Sequence, residues 1–99
     1  MMEMYVTYRG NEGDRFDGEY WTKQHFHLVR DTWGPHGLES IAGFFPAGGR
    51  SGFVAIAVCV FTSEVAMSNA LSASETSLVM DDVKRFTDIV PRRSKAANI

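Results

Sequence analysis

Phe53-Val-Ala-Ile-Ala-Val-Cys-Val-Phe61 runs for nine residues without a polar side chain. Its β-branched and aromatic residues read as a strand. A strand with one wet face alternates apolar and polar side chains. This one does not, so both of its faces are expected to be buried. The alternative is a monomer whose central strand shows only small outer residues such as Ala55 and Ala57.

The flanking residues say what the strand belongs to. Upstream, Leu38–Phe45 reads as a second strand, and Pro46–Gly52 as the turn of a hairpin. Met4–Tyr8 is a first strand and Arg9–Arg15 a glycine-containing loop. Asp17 is placed to cap a helix running from Gly18 to Trp33, with Glu19 suiting the dipole in its first turn. Gly34-Pro35 stops that helix. Downstream, Ser63 caps a second helix from Glu64 to Leu71. A break at Ser72–Thr76 precedes a last helical turn or two, capped by Ser74 and reaching Met80. Arg85–Val90 reads as the fourth strand, ended by Pro91. The expected domain is therefore residues 1–91, with 92–99 a flexible tail.

The order β-α-β-β-α-β is that of the split βαβ, ferredoxin-like sandwich. It is an α+β fold with a four-stranded antiparallel sheet and two helices on one face. Two helices cover only one face of such a sheet, and the chain has no further element for the other. A second copy packed face to face across a two-fold axis supplies it, so the expected assembly is a homodimeric α/β barrel.

Composition narrows the function. The chain has 99 residues, 44% hydrophobic and 22% charged, with a formal net charge of −2. No nucleic-acid partner is expected, because no basic face is clustered; Arg92-Arg93-Ser94-Lys95 is the one basic run. No apolar run approaches the roughly 18 residues that span a membrane, and no signal-peptide pattern opens the chain, so the expected location is cytoplasmic. The single Cys59 forms no internal disulfide and reads as a buried, inert thiol.

The chemistry-bearing residues gather on the first helix. Counted from Trp21, the positions His25, Leu28, Val29, Thr32 and Trp33 form one stripe at helical spacing. His25 therefore faces the sheet. His27 is turned away by about 200° and falls with Lys23, Arg30 and Asp31 toward solvent. Two histidines that diverge in this way cannot share a metal, and no metal site or cofactor is expected. His36, in Gly34-Pro-His-Gly37, reads as a surface residue. His25 is either a satisfied core histidine or the proton-moving group of a cavity between helix and sheet. Trp21 and Phe86 are the expected apolar walls, and Tyr5, or Tyr8 in its place, a hydrogen-bond donor. Asp88 is the best placed carboxylate to partner His25, on a strand face shared with Phe86. Gly48-Gly49-Arg50-Ser51-Gly52 lacks the residues of a phosphate loop, and Asp81-Asp82 reads as an ordinary helix end.

Four stretches carry a resemblance to the EthD family of the dimeric α/β-barrel superfamily. They are Phe16-Asp17-x-x-Tyr20 with His25-x-x-Leu28-Val29, Gly37-Leu38-Glu39, Phe44-Phe45-Pro46-Ala47-Gly48, and Phe86-Thr87-Asp88-Ile89. The family usually reads His-x-Pro-Leu in the first helix. Here His27 takes the proline position, and His25 matches the family's histidine. The resemblance implies a ferredoxin-like subunit, a dimer, and a cavity lined by His25. The superfamily includes cofactor-independent monooxygenases, lactone isomerases and haem-binding peroxidases, of which the last need a larger pocket. Two functions follow as expectations. One is an enzyme that uses His25 for isomerisation, dehydration or oxygenation of a small apolar or aromatic oxygenated molecule. The other is a non-catalytic protein that binds such a molecule.

Overall fold

The computed structural model describes residues 1–11, 13–46 and 52–95. Four strands, β1 (Met2–Arg9), β2 (Leu38–Phe44), β3 (Phe53–Phe61) and β4 (Arg92–Lys95), form one antiparallel sheet in the order β2-β3-β1-β4. β1 and β2 both pair antiparallel with β3, so they run parallel to each other with β3 between them. That is the split βαβ arrangement expected from the element order. The hairpin connection falls at residues 47–51, outside the described residues.

The first helical segment has three parts. α1 (Gly18–Tyr20) leads into a π-helical turn, Trp21–His25, and continues as α2 (Phe26–Trp33). Asp17 caps it as expected, its carboxylate accepting from the Tyr20 amide at 3.1 Å. The π turn was not legible in the spacing, and it changes the buried stripe. The Phe26 amide donates to the Trp21 carbonyl, five residues back. The extra residue in that turn lets His25 and Phe26, adjacent in sequence, both be buried. Phe26 thus joins Trp21, Val29 and Trp33 in the core, while Leu28 and Thr32 are only half-buried.

A short 3-10 turn, Gly34–His36, ends the segment, and Gly37 closes it with φ 108°. A side chain there would be strained by the backbone and would also meet the Ala66 Cβ at 2.7 Å. The second helical region is α3 (Glu64–Ser72) and α4 (Thr76–Asp82), broken at the expected place. Ser63 caps α3 through the Ala66 amide at 3.0 Å. Thr76 locks the two regions together: its hydroxyl accepts from Trp33 Nε1 at 2.9 Å and donates to the Ala70 carbonyl at 2.6 Å.

The expected fourth strand is corrected. Residues 83–85 form a 3-10 turn, Phe86 is fully buried, and Thr87 makes only an isolated bridge to Phe16. The Phe86 carbonyl accepts from the Asp17 amide at 2.8 Å, so this segment's backbone is spent on the loop before the first helix. The edge beside β1 is taken instead by Arg92–Lys95. The domain boundary at residue 91 therefore moves: 92–95 are sheet, and 96–99 lie outside the described residues. Pro91 precedes the strand, where its missing N–H costs no ladder bond, and three cations on the outermost strand discourage edge-to-edge pairing.

The sheet's two faces differ. Ala55, Ala57, Cys59 and Phe61 of β3 are buried under the helices. The small alanines thus face inward, contrary to the monomer alternative. Val54, Ile56, Val58 and Val60 point outward and are half-exposed. Beside them lie Tyr5 and Thr7 of β1, with Ala42 and the exposed Phe44 of β2.

Close packing of the first helix on β2 depends on Gly43. A Cβ there would lie 2.8 Å from the Phe26 ring and 2.9 Å from the Trp21 indole. Both rings are buried and cannot yield. Gly43→Ala should therefore destabilise the fold by about 1–3 kcal/mol, read as a lower urea midpoint with an unchanged m-value.

Candidate functional site

A cavity of about 130 Å³ opens between the helices and the inner face of the sheet. Val29, Trp33, Ile41, Ala57 and Val79 supply much of its apolar wall, and Tyr8, Trp21, His25 and Arg93 also line it. An apolar cavity of roughly 150 Å³ holds one benzene molecule, so the space suits a single ring.

His25 is 4% exposed. Its Nδ1 lies 2.9 Å from Asp82 Oδ2. An ionised carboxylate only accepts, so Nδ1 carries the proton, and in the neutral ring Nε2 is left with a free lone pair. Asp82 is fully engaged: its Oδ1 accepts from the Tyr20 hydroxyl at 2.8 Å and sits 3.5 Å from Arg85 Nε. Asp82 ends α4, where the helix dipole does not favour an anion. Three side chains hold it there. The His25 pKa is lowered, because burial disfavours the imidazolium more than the Asp82 hydrogen bond and charge favour it.

The Tyr8 and Trp21 side chains also line the cavity. The Trp21 Nε1–H is buried without a hydrogen-bond partner. It approaches the Tyr8 hydroxyl, whose ionised form it favours, without completing a bond; burial nonetheless drives the Tyr8 pKa up. The Cys59 thiol is likewise pushed up to about 12 by burial, as expected of an inert cysteine. Among the described residues no three His, Cys, Asp or Glu side chains are grouped as metal ligands, and no helix is long and apolar enough to cross a membrane.

The expected site residues divide. His25 and Trp21 line the cavity. Phe86 stands behind it, 4.7 Å from the His25 ring centroid, and supports the imidazole. Tyr5 is on the wrong side: it points from the outer sheet face and donates to Glu3 at 2.7 Å, while Tyr8, three residues on, faces the cavity. Asp88 is not the partner of His25. It is an exposed residue gripped by Arg15 through two hydrogen bonds of 3.0 and 3.2 Å, which hold its carboxyl below the usual range. Its displacement follows from the missing strand at 85–90. His27 is exposed beside Asp31 at 3.2 Å, as the i, i+4 spacing predicts.

Asp82 is the residue that sequence reasoning missed. Thr76, Val79 and Val83 are the buried positions of this region, and Asp82 lies three residues after Val79 on the same face. A carboxylate in an apolar stripe was the available signal. Asp81, one residue back, is exposed.

Several solved structures share this fold. An EthD-like protein from Ralstonia eutropha superposes with a TM-score of 0.83 at 24% identity, covering 96% of this chain and 88% of that one. The fold is that of the EthD-like proteins. An ethyl tert-butyl ether D (EthD) family protein from Bacillus halodurans follows at 0.75 and 18%, covering 100% and 99%. A dimeric ferredoxin-like protein of unknown function from Jannaschia gives 0.66 at 9%, covering 99% and 100%. No protein-family model and no curated protein matches the chain.

The lowered His25 pKa has a defined consequence for stability. Between its folded and unfolded pKa values the unfolded chain binds more protons than the native one, so stability rises with pH there. His25 should leave stability intact above about pH 6.5, the unfolded value, and erode it as pH falls toward the folded pKa. Urea midpoints measured from pH 7.5 to 5 should drop in wild type and drop less in His25→Gln. Asp82→Asn removes the charge that opposes burial, so NMR should find the His25 pKa lower still.

Proposed function

We propose that this chain is a member of the EthD family that binds a small, single-ring or similarly sized oxygenated molecule in the cavity and moves a proton on it through His25. The observation that carries this is the Nδ1–Asp82 hydrogen bond at 2.9 Å in a ring whose Nε2 is unpartnered. Asp82 selects the tautomer and fixes the ring; burial lowers the His25 pKa, so Nε2 is a free base at neutral pH in an apolar space. A carbon acid or hydroxyl lodged beside it would give its proton to Nε2, and the imidazolium would be stabilised by Asp82 until the proton is returned. The Tyr8 hydroxyl is a donor suited to an oxygen that gains negative charge in that step. Isomerisation, dehydration and oxygenation all begin with such a proton transfer.

A non-catalytic binding protein is the second reading. It is favoured by the scarcity of proton-moving groups: of the described residues lining the cavity, Tyr8 and Cys59 are pushed up out of the neutral range, leaving His25 alone. A titration separates the readings. The His25 imidazole shifts, followed by NMR with a panel of small aromatic and lactone ligands, should respond to binding. His25→Gln should still bind if the protein is a carrier, and should lose at least about 100-fold in turnover if it is an enzyme. Ligand-silent His25 shifts across the panel would remove both readings.

We infer as well that the protein works in the cytoplasm as a homodimer, through the outward sheet face. The support is the valine and isoleucine row of β3, flanked by Ala42, Tyr5 and Phe44, which is left half-exposed in one subunit. A charge at its centre opposes burial against a second copy. Val58→Arg should run as a monomer in sedimentation at concentrations where wild type is a dimer.

A further inference from the structure

Arg93 sits on β4 opposite Val6. Val6 and Tyr8 belong to the inner face, so Arg93 faces the cavity with them, and both it and Pro91 line the opening. Lys95, the other β4 cation on that face, is matched by Glu64 at 3.1 Å. Arg93 has no carboxylate or hydrogen-bond partner among the described residues. Asp82, the nearest carboxylate to the chemistry, is screened behind His25 and does not line the cavity. Arg93, which is exposed, is thus the one full charge among the described lining residues, at the rim of an apolar space that it shares with Tyr8, Trp21 and His25.

A guanidinium offers a planar fork of N–H donors that matches a carboxylate, and the pairing strengthens beside apolar walls that exclude water. A neutral ligand would leave that fork to water alone. Resting on the pocket reading above, we infer that the natural ligand is a small organic acid, its ring or apolar body in the cavity and its carboxylate at the mouth on Arg93. The arrangement also sets direction: held by Arg93 at one end, the molecule presents its far end to His25. Arg93 is then a specificity-determining residue, while His25 remains the proton-moving one.

The test compares benzoate with benzyl alcohol, ligands of the same ring with and without the charge, by calorimetry on the full chain. Wild type should bind benzoate at least about tenfold more tightly, the effect of one charge-assisted hydrogen bond. Arg93→Gln should erase that preference and leave benzyl alcohol unaffected; Arg93→Lys should keep part of it. The wild-type preference should shrink with added salt. Arg93 is exposed and pairs with β1 through its backbone, so melting curves of the variants serve as the check on folding. If benzyl alcohol binds and benzoate binds no better, or if Arg93→Gln keeps the preference, the organic-acid inference is overturned and the pocket reading stands. If neither ring binds, both fall.

Discussion

The buried hydrogen bond between His25 and Asp82 joins the two helical regions at the point where the sheet leaves room beneath them. Both groups have left most of their water: the two side chains are 6% and 11% exposed. Buried polar groups are tolerated only when paired, and here the pairing is nearly complete. Asp82 has His25, Tyr20 and Arg85; His25 has Asp82 on one nitrogen and Phe86 against its ring. What is left over is an imidazole lone pair and a hydroxyl, on two side chains that line the same small cavity, and a buried indole N–H near that hydroxyl. A core selected only for stability would fill that space and remove those atoms. Their convergence is why the cavity reads as a site.

Local geometry follows from that constraint. In an unbroken α-helix, His25 and Phe26 could not both turn toward the sheet behind Trp21. The π turn at Trp21–His25 makes room for both, and Gly43 lets the two aromatic rings settle on β2. Such a turn gives weaker backbone geometry than the α-helix on either side, and is commonest where function asks for it. The aromatic set of Tyr8, Phe16, Trp21 and Phe86 then packs edge to face around the base of the site. His25 is held against this set by Phe86 and from the other side by Asp82.

The sheet divides its work between its faces. The inner side of β3 carries Ala55, Ala57 and Cys59 beneath the helices, and the short side chains of Ala57 and Cys59 border the cavity. Its outer side carries Val54, Ile56, Val58 and Val60, which are half-exposed in one subunit. One strand therefore borders the cavity on one side and carries a continuous apolar row on the other.

Much of this was written in the chain itself. The element order, the Asp17 and Ser63 caps, the helix stop at Gly34-Pro35 and the apolar β3 are local or periodic signals, and they determined the α+β fold and the inward position of His25. The resemblance carried by Phe16–Tyr20 and His25–Val29 agrees with them. Three things were decided only in three dimensions. Arg85–Val90 has strand-like residues, yet its backbone bonds went to the loop before the first helix, and a basic segment with little strand propensity took the edge because that edge was open. Tyr5 and Tyr8 are equivalent by composition, and only the register of β1 against β3 sends one outward and the other to the cavity. The sequence argument offered Asp88 as the partner of His25 and read Asp82 as a helix end. Which of them meets His25 depended on where α4 ended, because a hydrogen bond across 57 residues is set by packing and leaves no period in the sequence to read.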